Sequence, residues 1–220
     1  MKALFINGSP RKNWNTHKML ESAMNGAAGA GAETELVHLY DAPFRGCVSC
    51  FACKVKNSKT NGLCAFRDTL TPTLEKARQA DVIVIGSPIY FSYPTGAVRS
   101  FMERLLFPVL RYSAEERSIL TKVIPTAMIY TMNCPENLAG QINYPTLLSP
   151  NEQALKLLFG YCETLCAHDT YQFSDYSRYD VTMFNEAEKA KQREEQFPKD
   201  LQNAVELGKR LVEKAKELNA

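Results

Sequence analysis

The sequence predicts an α/β protein: a doubly wound parallel sheet of five strands in the order 2-1-3-4-5, with helices on both faces. Three observations carry this. Two short apolar runs, Lys2 to Asn7 and Val82 to Ile85, have the composition of strands buried on both faces. Segments with helical spacing alternate with the strand-like ones, which calls for right-handed crossovers and a parallel sheet. The two strongest runs also end alike, at Gly8-Ser9-Pro10 and Gly86-Ser87-Pro88. In the 2-1-3-4-5 order these turns arrive at one place, the switch point beyond the carboxyl ends of strands one and three, where such sheets bind ligands.

The first strand, Lys2 to Asn7, turns at Gly8-Ser9-Pro10. Asn15-Thr16 stand at the expected N-cap of a helix whose apolar side carries Met19, Leu20, Ala23 and Ala27. Gly29-Ala30-Gly31 ends that helix, and Glu33 to Tyr40 alternates as a second strand. Asp41 to Arg67 is irregular and bears cysteines, too long for a simple connector. Thr69 to Gln79 reads as a helix with Leu70, Leu74 and Ala77 on one face. Val82 to Ile85 forms the third strand and breaks at Gly86-Ser87-Pro88; Thr95 then caps a helix carrying Val98, Phe101, Met102, Leu105 and Leu106. Lys122 to Thr131 is the fourth strand, weakened at Pro125. Asn133 to Pro150 reads as a long loop, Glu152 to Cys166 as a helix and Ala167 to Phe173 as the fifth strand. From Asn185 to Ala220 the chain is helical, with Pro198 opening its second half. There Leu201, Val205, Gly208, Leu211, Val212, Ala215 and Leu218 form a stripe, expected to cover the sheet, and the charges cancel as on a solvated face. The whole, 1–220, is expected to be a single domain with a cysteine-bearing insertion at about 41–67 and a helical extension at about 185–220.

The charge balance, 26 Lys+Arg against 24 Asp+Glu, makes no case for nucleic acid. No apolar run approaches the roughly 20 residues that span a bilayer. The chain enters a strand directly, without the apolar core and cleavage site of a secretory signal, so a cytoplasmic location is expected. In that compartment the seven cysteines point to metal binding, redox activity or burial rather than to disulfides.

The first turn has its own chemistry. A strand, a hydroxyl-bearing turn and a helix N-terminus make a cup of N–H donors at the positive end of a helix dipole, which suits a phosphate dianion. The spacing matches neither a dinucleotide-binding turn nor an NTPase loop, so the expected group is one terminal phosphate held by Ser9, Arg11, Asn15 and Thr16. An ordinary strand–turn–helix corner with no ligand is the alternative.

These residues resemble the NADPH-dependent FMN reductase and flavodoxin-like superfamily. Gly8-Ser9-Pro10-Arg11 with Asn15-Thr16 is similar to its FMN phosphate loop. Gly86 to Phe91, with Gly96 and the Arg99-Ser100-Phe101 helix, is similar to its flavin-ring segment, and Thr131-Met132-Asn133 loosely to its third flavin loop. The resemblance runs from Lys2 to about Phe107. It implies a flavodoxin-like fold and an FMN with its phosphate on the first loop and its ring against Pro88, Ile89, Tyr90 and Phe91, with Thr131 and Asn133 completing the site. It also implies NAD(P)H as reductant, a quinone, flavin or similar small acceptor, and a homo-oligomer, dimer or tetramer. Two half-reactions at one flavin would give ping-pong kinetics. No dedicated catalytic side chain is required, because the cofactor supplies the redox chemistry. His17, His38 and His168 are scattered and read as structural. The apolar stretch Phe101 to Leu110 is either a subunit interface or core.

Cys47, Cys50 and Cys53, with Cys64 beyond, resemble the branch that contains the iron–sulfur flavoproteins. A C-x2-C-x2-C run can wrap one corner of a [4Fe–4S] cluster, with Cys64 as fourth ligand. That cluster would make the protein an electron carrier for a ferredoxin-like partner. Here Lys54 to Leu63 separate the third and fourth cysteines, a longer gap than cluster-bearing members place there. Zinc on four thiolates, or free thiols, are the other readings. Arg45, Lys54, Lys56, Lys59 and Arg67 are expected to favour thiolates and to attract NADPH or an acidic redox partner. Cys134, Cys162 and Cys166 read as buried small apolar residues, the last two one helical turn apart.

Overall fold

A computed structural model describes residues 1–60 and 62–219. Asn61, in the polar run between the third and fourth cysteines, and Ala220 lie outside the described residues. The strands are β1 (Lys2–Asn7), β2 (Glu33–His38), β3 (Val82–Tyr90), β4 (Tyr93–Pro94), β5 (Ile124–Thr131) and β6 (Gly160–Ala167). The α-helices are α1 (Asn15–Gly29), α2 (Thr71–Gln79), α3 (Gly96–Val109), α4 (Glu136–Gln141), α5 (Tyr144–Phe159), α6 (Glu186–Glu195) and α7 (Phe197–Leu218). The sheet runs β2-β1-β3-β5-β6, and β4 pairs with β3. All four pairings along that path are parallel, so the expected 2-1-3-4-5 order stands once the short β4 is set aside.

Alternation along the central strands builds two cores, one on each face. Leu4, Ile6, Ile83, Ile85, Met128 and Tyr130 pack beneath α2, α3 and α5. Ala3, Phe5, Val82, Val84, Ala127 and Ile129 pack beneath α1 and α7. On the second face α1 and α7 touch backbone to backbone. A Cβ on Gly26 would fall 1.9 Å from the Val205 carbonyl oxygen, and one on Gly208 would fall 1.9 Å from that of Ala23. Only glycine permits this approach. The last helix therefore covers α1 and the sheet, as expected. Its buried side, however, runs through Phe197, Ala204, Leu207, Gly208, Leu211, Val212 and Ala215, and Leu218 is exposed.

Four expectations need correction. The third strand does not break at Gly86. Pairing with β1 stops at Asn7–Gly86, but β3 continues along β5 through Ser87 and Pro88 and then folds back onto Tyr93–Pro94. The turn signal marks where β1 and β3 part, not where β3 ends. Secondly, Trp14 is the N-cap of α1, and Asn15 and Thr16 are its first helical residues.

Thirdly, the expected loop from Asn133 to Pro150 is largely helical. Pro135 is the N-cap of α4, and Pro145 lies in the first turn of α5, where no N–H is needed. Pro150 lies inside α5 and leaves the Thr146 carbonyl without its backbone donor; the Ser149 hydroxyl donates to it instead at 3.0 Å. Fourthly, the helix expected over Glu152 to Cys166 stops at Phe159. Gly160, in the left-handed region at φ +91°, ends it. The fifth parallel strand is then Gly160–Ala167, not Ala167 to Phe173. Cys162 and Cys166 still share a core face, because positions i and i+4 coincide on a strand as well as on a helix. Pro125 does not interrupt β5: pairing with β3 begins at Thr126, while the register with β6 runs through Pro125 opposite Tyr161.

Candidate functional site

The carboxyl ends of β1, β3, β5 and β6 bring four segments together. After β1 the chain closes a tight loop. Ser9 N–H donates to Asn7 Oδ1 at 2.8 Å, Arg11 N–H donates to Ser9 Oγ at 3.1 Å, and Gly8 N–H donates to the Gly86 carbonyl at 2.8 Å. Thr95 Oγ1 donates to the Gly8 carbonyl at 2.8 Å, which joins this loop to the start of α3. Helix α1 then begins at Trp14 with no side-chain cap. The first-turn N–H groups of a helix have no partner inside it, so an uncapped start presents them, with the positive end of the helix dipole, to an anion.

Ser9, Asn15 and Thr16 are all buried around this uncapped start, and Thr16 Oγ1 lies 2.7 Å from Thr131 Oγ1 at the end of β5. Arg11 lies at the rim. Its guanidinium covers the Trp14 ring at 4.0 Å, and Nη1 donates to the Gln172 carbonyl at 2.6 Å. Asn15 Nδ2 and Trp14 Nε1 donate to the Tyr171 carbonyl at 2.8 and 3.0 Å. The sequence-predicted phosphate set is thus brought together. Two of its members, Arg11 and Asn15, are also tied to a segment that sequence reasoning did not include, Tyr171–Gln172. Trp14, the lone tryptophan beside the turn, was the one local signal of that contact.

The β3–β4 hairpin forms a second wall. Its central residues Phe91 and Ser92 have φ of +48° and +71°, so the two-residue turn is left-handed at both positions with no glycine at either. Phe91 is 98% exposed, Tyr90 is about half-exposed, and Pro88 and Ile89 are half-buried. The Tyr90 hydroxyl is pushed up by burial and by Tyr40 nearby, and pulled down by Arg11, which puts all three side chains in one neighbourhood. A strained turn that holds an aromatic ring in solvent offers apolar area to a planar ligand. An uncapped helix start, buried hydroxyls and an exposed aromatic wall fit FMN.

The third wall is Thr131–Asn133. Asn133 Nδ2 donates to Gln172 Oε1 at 2.8 Å, and Lys189 of α6 donates to the Asn133 carbonyl at 2.9 Å. Lys189 is 3% exposed and also contacts Asn133 Oδ1 and Asp169 Oδ1. Sequence reasoning missed it, because a balanced charge run reads as solvated.

The cysteine segment lies apart, on α3. Cys47, Cys50, Cys53 and Cys64 line one narrow cleft with Phe51, Phe66, Arg104 and Phe107. Arg104, 1% exposed, holds the segment by donating to Asp68 Oδ2 at 2.6 Å, the Phe66 carbonyl at 2.7 Å and the Arg45 carbonyl at 3.0 Å. The cleft has a volume of about 10 Å³, roughly the space of one water. Among the described residues no three His, Cys, Asp or Glu side chains are placed to hold a metal ion. A [4Fe–4S] cluster on these four thiols would need more room than the folded cleft has. The segment's basic charge does not favour the Cys53 thiolate: burial pushes that thiol up despite Lys54, whose ammonium is spent on the Phe107 and Leu110 carbonyls. Cys134 is pushed up by burial, and Cys162 and Cys166 are each pushed up to about 11 by the same cause, as inert packed thiols should be.

No helix among the described residues is long and apolar enough to cross a membrane. The sequence profile of the NADPH-dependent FMN reductase family matches residues 1–128. An iron–sulfur flavoprotein of Methanocaldococcus jannaschii is 36% identical over 104 residues, 47% of this chain and 51% of that protein. One from Archaeoglobus fulgidus is 40% identical over 104 residues, 47% of this chain and 48% of that protein. These matches thus span about half the length of each relative. Among solved structures, the NAD(P)H:quinone oxidoreductase from Methanothermobacter marburgensis superposes with a TM-score of 0.68 at 15% identity, covering 96% of this chain and 98% of that one. At that identity the likeness is one of fold.

Proposed function

This chain belongs to the NADPH-dependent FMN reductase family, and on that premise we propose that it is an FMN-dependent oxidoreductase. It takes electrons from NAD(P)H and passes them to a quinone, a flavin or a similar small acceptor. The observation that carries this reading is the uncapped start of α1 between buried Ser9, Asn15 and Thr16, with Tyr90 of the exposed hairpin close enough to feel Arg11. When bound, FMN supplies the hydride and electron chemistry.

The chain's own residues have the following parts. First-turn N–H groups of α1, with Ser9, Thr16 and Arg11, hold the phosphate. Pro88, Ile89, Tyr90 and Phe91 offer area and backbone groups to the ring. Thr131 and Asn133 close the third side. We further infer that the whole chain, with the cysteine-bearing insertion and the C-terminal helices, works as one FMN-binding unit. It pairs with copies of itself through the apolar cleft of Leu106, Phe107, Leu110, Tyr112 and Leu157. Supplying FMN to the purified protein, desalting it and recording the visible spectrum tests the reading. Retained flavin absorbance with quinone-dependent NAD(P)H oxidation, parallel in double-reciprocal plots, is expected. A colourless protein after desalting would overturn it.

A second reading is an electron carrier with both FMN and an iron–sulfur cluster, working with a ferredoxin-like partner. It is favoured by the convergence of four cysteines on one cleft and by the iron–sulfur flavoproteins among the relatives. It requires the cleft to open. Iron, sulfide and zinc analysis of protein purified without oxygen separates the cases. About four irons and four sulfides per chain, as a cubane requires, would favour the carrier. Zinc alone, or neither metal, leaves the NAD(P)H-driven reductase.

A further inference from the structure

The C-terminal extension reaches into the site through one buried cation. Lys189 is the fourth residue of α6, far outside the segment matched by the family profile. Its ammonium meets three oxygens: the Asn133 carbonyl, Asn133 Oδ1 and Asp169 Oδ1. The Phe184 ring lies 4.9 Å from it. Both segments it joins follow strand ends at the site, since Asn133 follows β5 and Asp169 follows β6. They also meet directly, through Asp169 N–H to the Cys134 carbonyl at 3.0 Å and Thr170 N–H to the Met132 carbonyl at 2.9 Å. From Asn133 the chain of contacts continues to Gln172, and from the Gln172 carbonyl to Arg11 on the phosphate loop.

Burying an ammonium is costly unless every proton finds an acceptor, and three acceptors match its three protons. Two of those acceptors belong to one residue, Asn133, and the carboxylate alone could have paired the charge. The arrangement holds the Asn133 backbone and its amide orientation at once. With Oδ1 on the ammonium, Nδ2 must face Gln172.

We propose that Lys189 is a positioning residue of the cofactor site, fixing Asn133 and, through Gln172, the rim that carries Arg11 in the geometry that receives FMN. The proposal rests on the FMN reading above. An ion pair that served stability alone would act through Asp169, whereas positioning acts through Asn133, and the two contributions can be separated.

The experiment compares Asp169→Asn and the double variant Lys189→Met/Asp169→Asn with the unaltered protein. It reads thermal midpoint, FMN dissociation constant and the shape of the bound-flavin visible band. Asparagine suits position 169, whose φ is +53°. Asp169→Asn breaks the ion pair but leaves the Lys189–Asn133 contacts, so it should lower the midpoint and leave FMN affinity within about twofold. The double variant buries no unpaired charge and should regain much of the midpoint. Its FMN binding should nevertheless weaken about tenfold or more, the scale of a lost charged hydrogen bond, with a smoother flavin band closer to that of free FMN. Equal FMN affinity and band shape in the double variant and the unaltered protein would overturn the role of Lys189 while leaving the FMN reading standing. If the unaltered protein takes up no FMN, both fall together.

Discussion

Arg104 and Asp68 form the ion pair that closes the cysteine segment onto α3, with Nη1 of the buried guanidinium 2.6 Å from Oδ2. Burial by itself would raise the Asp68 carboxyl. The bonds from Arg104 and from the Arg45 and Leu70 amides outweigh it and hold the group below the ordinary carboxylate range. The native state then binds fewer protons at this group than the unfolded chain does. Its contribution is present above the unfolded carboxylate value of about 3.9 and is lost as pH falls through the lower folded value. Urea unfolding between pH 7 and pH 2 should show a loss of stability below roughly pH 4 that is smaller in Asp68→Asn. Arg104→Met, which strands Asp68 and the Arg45 and Phe66 carbonyls, should cost about 3–5 kcal/mol at pH 7. A cost under about 0.5 kcal/mol, the level of an ordinary surface change, would remove Arg104 as the anchor of the segment.

The phosphate loop makes a prediction about ligand choice. Ser9→Ala, Arg11→Ala and Thr16→Ala together remove the side chains proposed to hold the phosphate. Riboflavin, which lacks it, should bind the triple variant and the unaltered protein alike. FMN should lose about a hundredfold or more, since hydrogen bonds to charged groups contribute about 1.5–3 kcal/mol each. Titration of flavin fluorescence with both ligands reads this, and parallel losses for the two would place the phosphate elsewhere.

The hairpin turn predicts opposed effects on stability and binding. A bulky residue at φ +48° costs on the order of 1–2 kcal/mol that glycine would not. Because Phe91 is 98% exposed, little burial is lost on its removal. Phe91→Gly should therefore unfold at higher urea concentration, by about 1 kcal/mol, while binding FMN more weakly. If binding strengthened with stability, the hairpin would have no part in holding the ring.

On the opposite face, Gly208→Ala introduces a Cβ at 1.9 Å from the Ala23 carbonyl oxygen. Neither helix can yield a side chain to relieve it. A loss of at least about 2 kcal/mol is expected in equilibrium unfolding, at the upper part of the overpacking range. A neutral substitution would mean that α1 and α7 separate readily.

Much of this was legible in the chain because it is written locally. The apolar runs Lys2 to Asn7 and Val82 to Ile85 and the capping Thr95 each declare an element within a few residues, and the loop from Gly8 to Thr16 carries the pattern expected of an anion site. What was not legible depends on contacts far apart in sequence. Cys162 and Cys166 share a face on a helix or on a strand, so their spacing could not separate the two, and the parallel partner β5 decided it. The prolines between Asn133 and Pro150 punctuate helix starts rather than a loop. Lys189 stood in a run whose charges sum to nothing, and only the fold reveals that it faces Asn133 and Asp169 instead of water.

The paired glycines at 26 and 208 also constrain how this protein can be recombined with its relatives. A side-chain interface tolerates exchange of one partner, because residues on the other can adjust their rotamers. A backbone-on-backbone contact has no such slack, so a chimera joined anywhere between the two positions keeps its register only if both parents have glycine there. For such recombination the first helix and the last behave as one unit, although most of the chain lies between them.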